Sequence, residues 1–133
     1  MWLVARGLPA FRLFYPGRIV LAVSVGCLGL LVSLSGVIEF RRARTTVNPM
    51  TPNASSSLVT SGIYTVTRNP MYLGFSTILL GWGIFLANPF SLLVIPCFVF
   101  YMTRFQIIPE ERALQSRFGS DFQAYRAKVR RWL

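Results

Sequence analysis

Apolar residues fill three stretches of the chain almost without interruption, at residues 19–38, 71–87 and 90–108, and polar residues collect between and after them. The first stretch is free of charge over about 20 residues, enough at about 1.5 Å of helical rise per residue to cross a hydrocarbon layer of roughly 30 Å. It predicts a membrane-spanning helix. A cleaved secretory signal is the competing reading, but the run is too long for one, and Glu39-Phe40-Arg41-Arg42 follows where small cleavage-site residues belong. Only Asn88-Pro89 separates the second and third stretches, so they predict an antiparallel helical hairpin. Pro96 predicts a kink in the third, and Arg104 near its end is costly in lipid unless it reaches the headgroups or finds a partner. The expected fold is a single all-α domain over residues 1–133: an integral membrane helical bundle with a hairpin and a cytoplasmic amphipathic helix over the tail, residues 109–133.

Within the first stretch, Ala22, Gly26, Gly29, Ser33 and Gly36 recur at spacings of three and four, giving one helix face small enough for another backbone to approach closely. Packing against the hairpin is the preferred use of that face, with a homodimer seam as the second. Residues 1–18 are broken by Gly7 and Pro9 and too short to span. They are expected to lie in the membrane interface or to be what remains of a further helix.

Charge orients this arrangement. The hairpin returns the chain to the side it left, so the loop over 39–70 and the tail share one face. Arg41, Arg42, Arg44 and Arg68 lie there, with Arg104, Arg112, Arg117, Arg126, Lys128, Arg130 and Arg131; only Arg6, Arg12 and Arg18 lie opposite. The excess places loop and tail in the cytoplasm. All four acids, Glu39, Glu110, Glu111 and Asp121, fall on the same side, so polar chemistry is expected there. The net charge of +10 alternates with apolar runs instead of covering a soluble face, which favours membrane lipids over nucleic acid as the partner. Histidine is absent and there are two cysteines. That excludes triad chemistry based on histidine and leaves no metal site in prospect. The Asn53-Ala54-Ser55 sequon would never meet the glycosylating enzyme from a cytoplasmic loop.

Two polar segments border the membrane. In the first, Gly62 permits unusual dihedrals, Asn69 is a candidate N-cap and Pro70 a first-turn residue of the second span. The second opens with Pro109-Glu110-Glu111-Arg112. These adjacent carboxylates are either first-turn acids of a new helix after Pro109 or acceptors for ribose hydroxyls or an ammonium group. They point about 100° apart on a helix and cannot flank one bond. Phe118-Gly119 should end that helix, and Ser120 and Gln123 stand at capping-box spacing for the next. Phe122, Tyr125, Val129 and Trp132 then recur every three or four residues among basic ones, predicting a helix that lies on the anionic leaflet.

Taken in order, Leu58-Val59-Thr60-Ser61-Gly62-Ile63-Tyr64, Arg68-Asn69-Pro70-Met71-Tyr72-Leu73-Gly74, Asn88-Pro89 and Glu110-Glu111 followed by Phe118-Gly119, Tyr125 and Val129-Arg130 resemble the isoprenylcysteine carboxyl methyltransferase family and its bacterial relatives. This group is also similar to phospholipid N-methyltransferases. The resemblance implies a membrane enzyme that binds S-adenosyl-L-methionine on the cytoplasmic side without a dinucleotide-binding fold and methylates a lipophilic acceptor. It implies a cofactor pocket lined by Ser56, Ser57, Leu58, Val59 and Tyr64, walled by Asn69, Pro70, Met71 and Tyr72, with Glu110 holding a polar group. Asn69, Tyr72, Glu110, Glu111 and Arg68 are the candidates for the chemistry. Charge and depth, apart from the resemblance, suggest Arg68 and Arg104 as partners for a carboxylate, Arg104 on the acceptor side. The eukaryotic members have histidine where Asn69 stands, and an amide cannot shuttle a proton at neutral pH. Sterol reductases that use NADPH share a similar Arg-x-Pro-x-Tyr element, and a lipid-binding scaffold without turnover is the non-enzymatic rival.

Overall fold

The computed structural model describes residues 1–8, 15–43 and 57–133, and these are helices joined by turns. In chain order they are α1 (Trp2–Gly7), α2 (Arg18–Arg42), a 3-10 turn (Gly62–Thr65), α3 (Pro70–Leu86), α4 (Pro89–Leu92), α5 (Val94–Met102), a widened π turn (Thr103–Ile107) and α6 (Ile108–Lys128). Ser56 and the Asn53-Ala54-Ser55 sequon lie outside the described residues.

Two helices, Arg18–Arg42 and the continuous run Pro89–Lys128, are long and apolar enough to cross a bilayer, and Pro70–Leu86 is a shorter apolar helix. The distribution of side chains is that of a membrane protein. Large apolar residues such as Val20, Leu28, Leu31, Phe100 and Phe105 are exposed, where lipid would cover them. Buried positions include small or polar residues: Ser33, Thr67, Asn69, Asn88 and Ser91, together with Gly29 and Gly36 of α2 and Gly74, Gly81 and Gly83 of α3.

The small face of α2 packs against α3, which runs antiparallel to it and touches α5 far less. A Cβ on Gly29 would lie 2.6 Å from the Gly74 carbonyl oxygen, one on Gly36 3.0 Å from the Pro70 ring, and one on Gly81 2.8 Å from the Ala22 oxygen. Backbone-to-backbone approach of this kind replaces the hydrophobic drive that lipid cannot provide. The stripe thus packs against α3 within the chain, the preferred use of that face.

At the far end, the expected hairpin turn is more elaborate than a two-residue link. Ala87 takes a positive φ of 52°, and Asn88 caps α4 by accepting from the Phe90 amide at 3.0 Å. Its side-chain amide also donates to the Leu8 carbonyl at 2.9 Å, seating the end of α1 on the hairpin. Pro96 lies in the first turn of α5, so the interruption falls before it, at Leu93 between α4 and α5. A proline ring crowds the carbonyl four residues back. Pro109 has the same effect but a different outcome: the helix is not restarted after it, and the widened turn at Thr103–Ile107 carries the chain into α6 without a break.

The tail departs from expectation in one respect. Gly119, at φ 49° and ψ −116°, does interrupt the helix, but the apolar stripe beyond it faces the protein and not a lipid surface. Phe122 and Val129 are buried. The helix ends at Lys128, Val129 is extended, and the indole nitrogen of Trp132 donates to Thr103 Oγ1 at 3.2 Å.

Candidate active site

The near end of the bundle gathers the polar segments. The 3-10 turn is fixed to the end of α2, where Ser61 Oγ donates to Glu39 Oε2 at 2.7 Å and Glu39 presses on Gly62, whose φ of 57° and absent Cβ make the contact feasible. Phe40 meets the Tyr64 ring edge-on at 5.4 Å between centroids. From the other side, the Tyr125 hydroxyl donates to the Tyr64 carbonyl at 2.7 Å. Tyr64 is therefore clamped between α2 and α6, and burial, followed by the charges and dipoles around it, holds its phenol far above the ordinary tyrosine range.

Beside it, Tyr72 in the first turn of α3 donates to Glu110 Oε1 at 2.8 Å, and Gln106 Nε2 donates to the same oxygen at 2.9 Å. The other oxygen, Oε2, receives no donor among the described residues. Burial raises the Glu110 carboxyl above its usual range, the hydrogen bonds from Gln106 and Tyr72 pull it back, and the neighbouring Glu111 charge adds to the rise. A half-buried carboxylate with one anchored and one open oxygen can accept from a hydroxyl or an ammonium group.

Glu111 does something else. Turned to a different side of α6, it takes Arg131 through two bonds, Nε to Oε1 at 3.0 Å and Nη2 to Oε2 at 2.7 Å, and lies 3.1 Å from Arg68 Nη1. Arg68 is half-buried, and its Nε and Nη1 are buried and make no hydrogen bond. Burial lowers its proton affinity, opposed by Glu111 and reinforced by Arg131 and Arg126. The same pairing raises that of Arg131.

The last residues pass as a strap over the start of α3. The Arg68 amide donates to the Arg130 carbonyl at 3.0 Å, and Thr67 Oγ1 and Asn69 Nδ2 both donate to the Arg131 carbonyl, at 3.3 and 2.9 Å. Asn69 stands at the N-cap of α3 without making a side-chain cap, because its amide is engaged by the strap.

Of the expected site residues, Tyr72 and Glu110 meet directly, Tyr64 lies within electrostatic reach of both, Asn69 and Pro70 open the helix that carries Tyr72, and Val59 is buried. Leu58 and Met71 are half-buried. Ser57 donates to the Ala43 carbonyl at 3.3 Å, tying the loop to the end of α2. Arg68 and Glu111 form an ion-pair group next to the Tyr72–Glu110 cluster and not within it. Arg104 is exposed, its guanidinium 5.9 Å from the Phe105 ring, and is not brought to the cluster. Gln106 reaches Glu110 in its place. Its position four residues before Glu110 on one helix was a readable signal; the strap residues Thr67 and Arg131 carried none.

An all-helical membrane protein with this cluster at one end matches a known family over most of its length. Residues 17–121 match the phospholipid methyltransferase family, and the chain belongs to it. An uncharacterized protein of Haemophilus influenzae is 43% identical over 63 residues, covering 47% of this chain and 100% of that one. A protein-S-isoprenylcysteine O-methyltransferase of Schizosaccharomyces pombe is 32% identical over 77% of this chain and 44% of its own length, and one from Saccharomyces cerevisiae is 36% identical over 54% and 30%. The chain thus spans about half or less of the methyltransferases it matches. No solved structure matches it.

Proposed function

We propose that the protein is a multi-pass membrane methyltransferase that uses S-adenosyl-L-methionine at the cytoplasmic face and methylates a lipophilic acceptor, of isoprenylcysteine-carboxylate or phospholipid type. The observation that carries this reading is the Tyr72–Glu110 pair, which joins two segments far apart in sequence and leaves Glu110 Oε2 open. That open oxygen, held among buried tyrosines, suits the hydroxyls and cationic groups of the nucleoside. When bound, the cofactor supplies an electrophilic methyl group on sulfur, with a neutral leaving group.

The protein's own task is then alignment and exclusion of water. Tyr64 and Tyr72 are buried, and an aromatic face next to the sulfonium would favour its positive charge. An acceptor carboxylate needs no base. For an amine or hydroxyl, Glu110 is the group within the cluster that can take the proton, and its raised affinity brings it nearer to the working pH. The acceptor reaches the site from the bilayer, past the loosely packed α3 and α5.

Thermal midpoints in mild detergent test the assignment. S-adenosylhomocysteine at about 100 times its dissociation constant stabilises the fold by roughly 2.7 kcal/mol, and NADPH leaves it unchanged. A shift with NADPH alone overturns the reading. Labelled methyl donor incubated with total lipid extract identifies the acceptor, and label found solely in the aqueous fraction contradicts access from the bilayer.

A further inference from the structure

Beyond the break at Gly119 the chain returns to the start of α6, where Arg131 meets Glu111, and between the two runs lies an open recess of about 450 Å³. Its walls include Ile108, Arg112 and Ser116 before the break and Arg126 and Arg131 after it, with Glu111 between. Tyr64, Asn69, Tyr72 and Glu110 do not line it, so it is separate from the candidate active site.

Charge in this recess is unbalanced. Both oxygens of its one carboxylate, Glu111, are held by Arg131, and Arg68 adds a further positive charge 3.1 Å from Oε1. Arg112 and Arg126 are exposed and have no acidic partner among the described residues. Glu111 offsets Arg131, and the guanidiniums of Arg112 and Arg126 remain without a counter-charge among the described residues beside the same recess; their planar forks match the oxygens of a phosphate. Ile108, the first residue of α6, sets the recess at the end of the apolar stretch, where lipid headgroups would meet it if that stretch spans the bilayer. A volume of about 450 Å³ exceeds what a bare phosphate ion fills and suits a phosphate carrying a glycerol body.

We propose that this recess binds the phosphate of an anionic phospholipid headgroup, gripped by Arg112 and Arg126. The test uses the full chain in mild detergent, stripped of lipid and titrated with phosphatidylglycerol, phosphatidylcholine or inorganic phosphate, with bound lipid counted by native mass spectrometry. Phosphatidylglycerol binds in preference to phosphatidylcholine, and the double variant R112Q/R126Q weakens it by about tenfold or more. The control K128Q/R130Q removes the same charge from exposed positions outside the recess and keeps affinity within about twofold, since only screened long-range attraction is lost. Equal losses in the two double variants would assign the affinity to diffuse basic charge and overturn the site. Inorganic phosphate that displaces the lipid at equal concentration would assign the recess to free phosphate and overturn the lipid assignment. Both arginines are exposed, so the variants are expected to fold; an unchanged thermal midpoint without lipid confirms that.

Discussion

The side-chain amide of Asn69 donates to the backbone carbonyl of Arg131 across 2.9 Å, joining residues 62 positions apart. It ties the chain's end to the mouth of α3, one turn from Tyr72. Replacing Asn69 with Ala leaves a part-buried carbonyl with Thr67 as its remaining donor and destabilises the protein by about 1 kcal/mol. N69D is worse, because a carboxylate cannot donate and faces a carbonyl oxygen. Hydrogen exchange at the Arg68 amide, which bonds Arg130, should accelerate in both variants; unchanged protection would mean that the strap is held without Asn69.

The adjacent carboxylates should separate in mutagenesis. E111A leaves the largely buried Arg68 side chain without its counter-charge and removes the anchor of Arg131, costing about 3 kcal/mol of stability. R131Q costs less, about 1 kcal/mol, since Arg131 is partly exposed and Arg68 keeps Glu111. E110Q, by contrast, keeps the shape, loses stability only slightly, and weakens S-adenosylhomocysteine binding. Thermal midpoints with and without that ligand distinguish the two residues, and equal behaviour would refute the division of labour.

The pH dependence of stability isolates Glu110, which faces Tyr72, Gln106 and the Glu111 charge. Its folded affinity for protons is raised, chiefly by burial, so the folded state keeps a proton that the unfolded chain has released. Its contribution is fully present below the unfolded carboxyl range and is lost as pH climbs through the raised folded value. Thermal midpoints of the wild type should decline across that window, and those of E110Q should not; parallel curves would place the titration elsewhere.

Packing of α2 on α3 tolerates no added carbon at Gly29, where a Cβ would lie 2.6 Å from the Gly74 oxygen and 2.8 Å from the Ile78 nitrogen. G29A should cost about 1–3 kcal/mol through forced separation of the helices. G26A, with open space around its Cβ, should be near neutral. Both are read as thermal midpoints in detergent, and equal shifts would show that the contact yields freely.

Much of this was legible in the sequence, and for one reason: apolar runs, glycine breaks and the spacing of small residues are local properties that act on a helix wherever it packs. The three apolar stretches, the small face of α2 and the interruption at Gly119 followed from pattern, and the resemblance named both Tyr72 and Glu110, which the structure joins by a hydrogen bond. Tertiary structure decided which faces meet. The sequence alone left Glu110 and Glu111 as equals, and only the direction of each side chain on α6 sends one to Tyr72 and the other to Arg68 and Arg131. It also suggested a tail lying on lipid, because an amphipathic stripe looks the same whether it covers a membrane or a protein. The return of Arg131 to Asn69, and of Trp132 to Thr103, depends on the fold-back at Gly119 and on where α3 begins. No local signal encodes a contact between segments that distant.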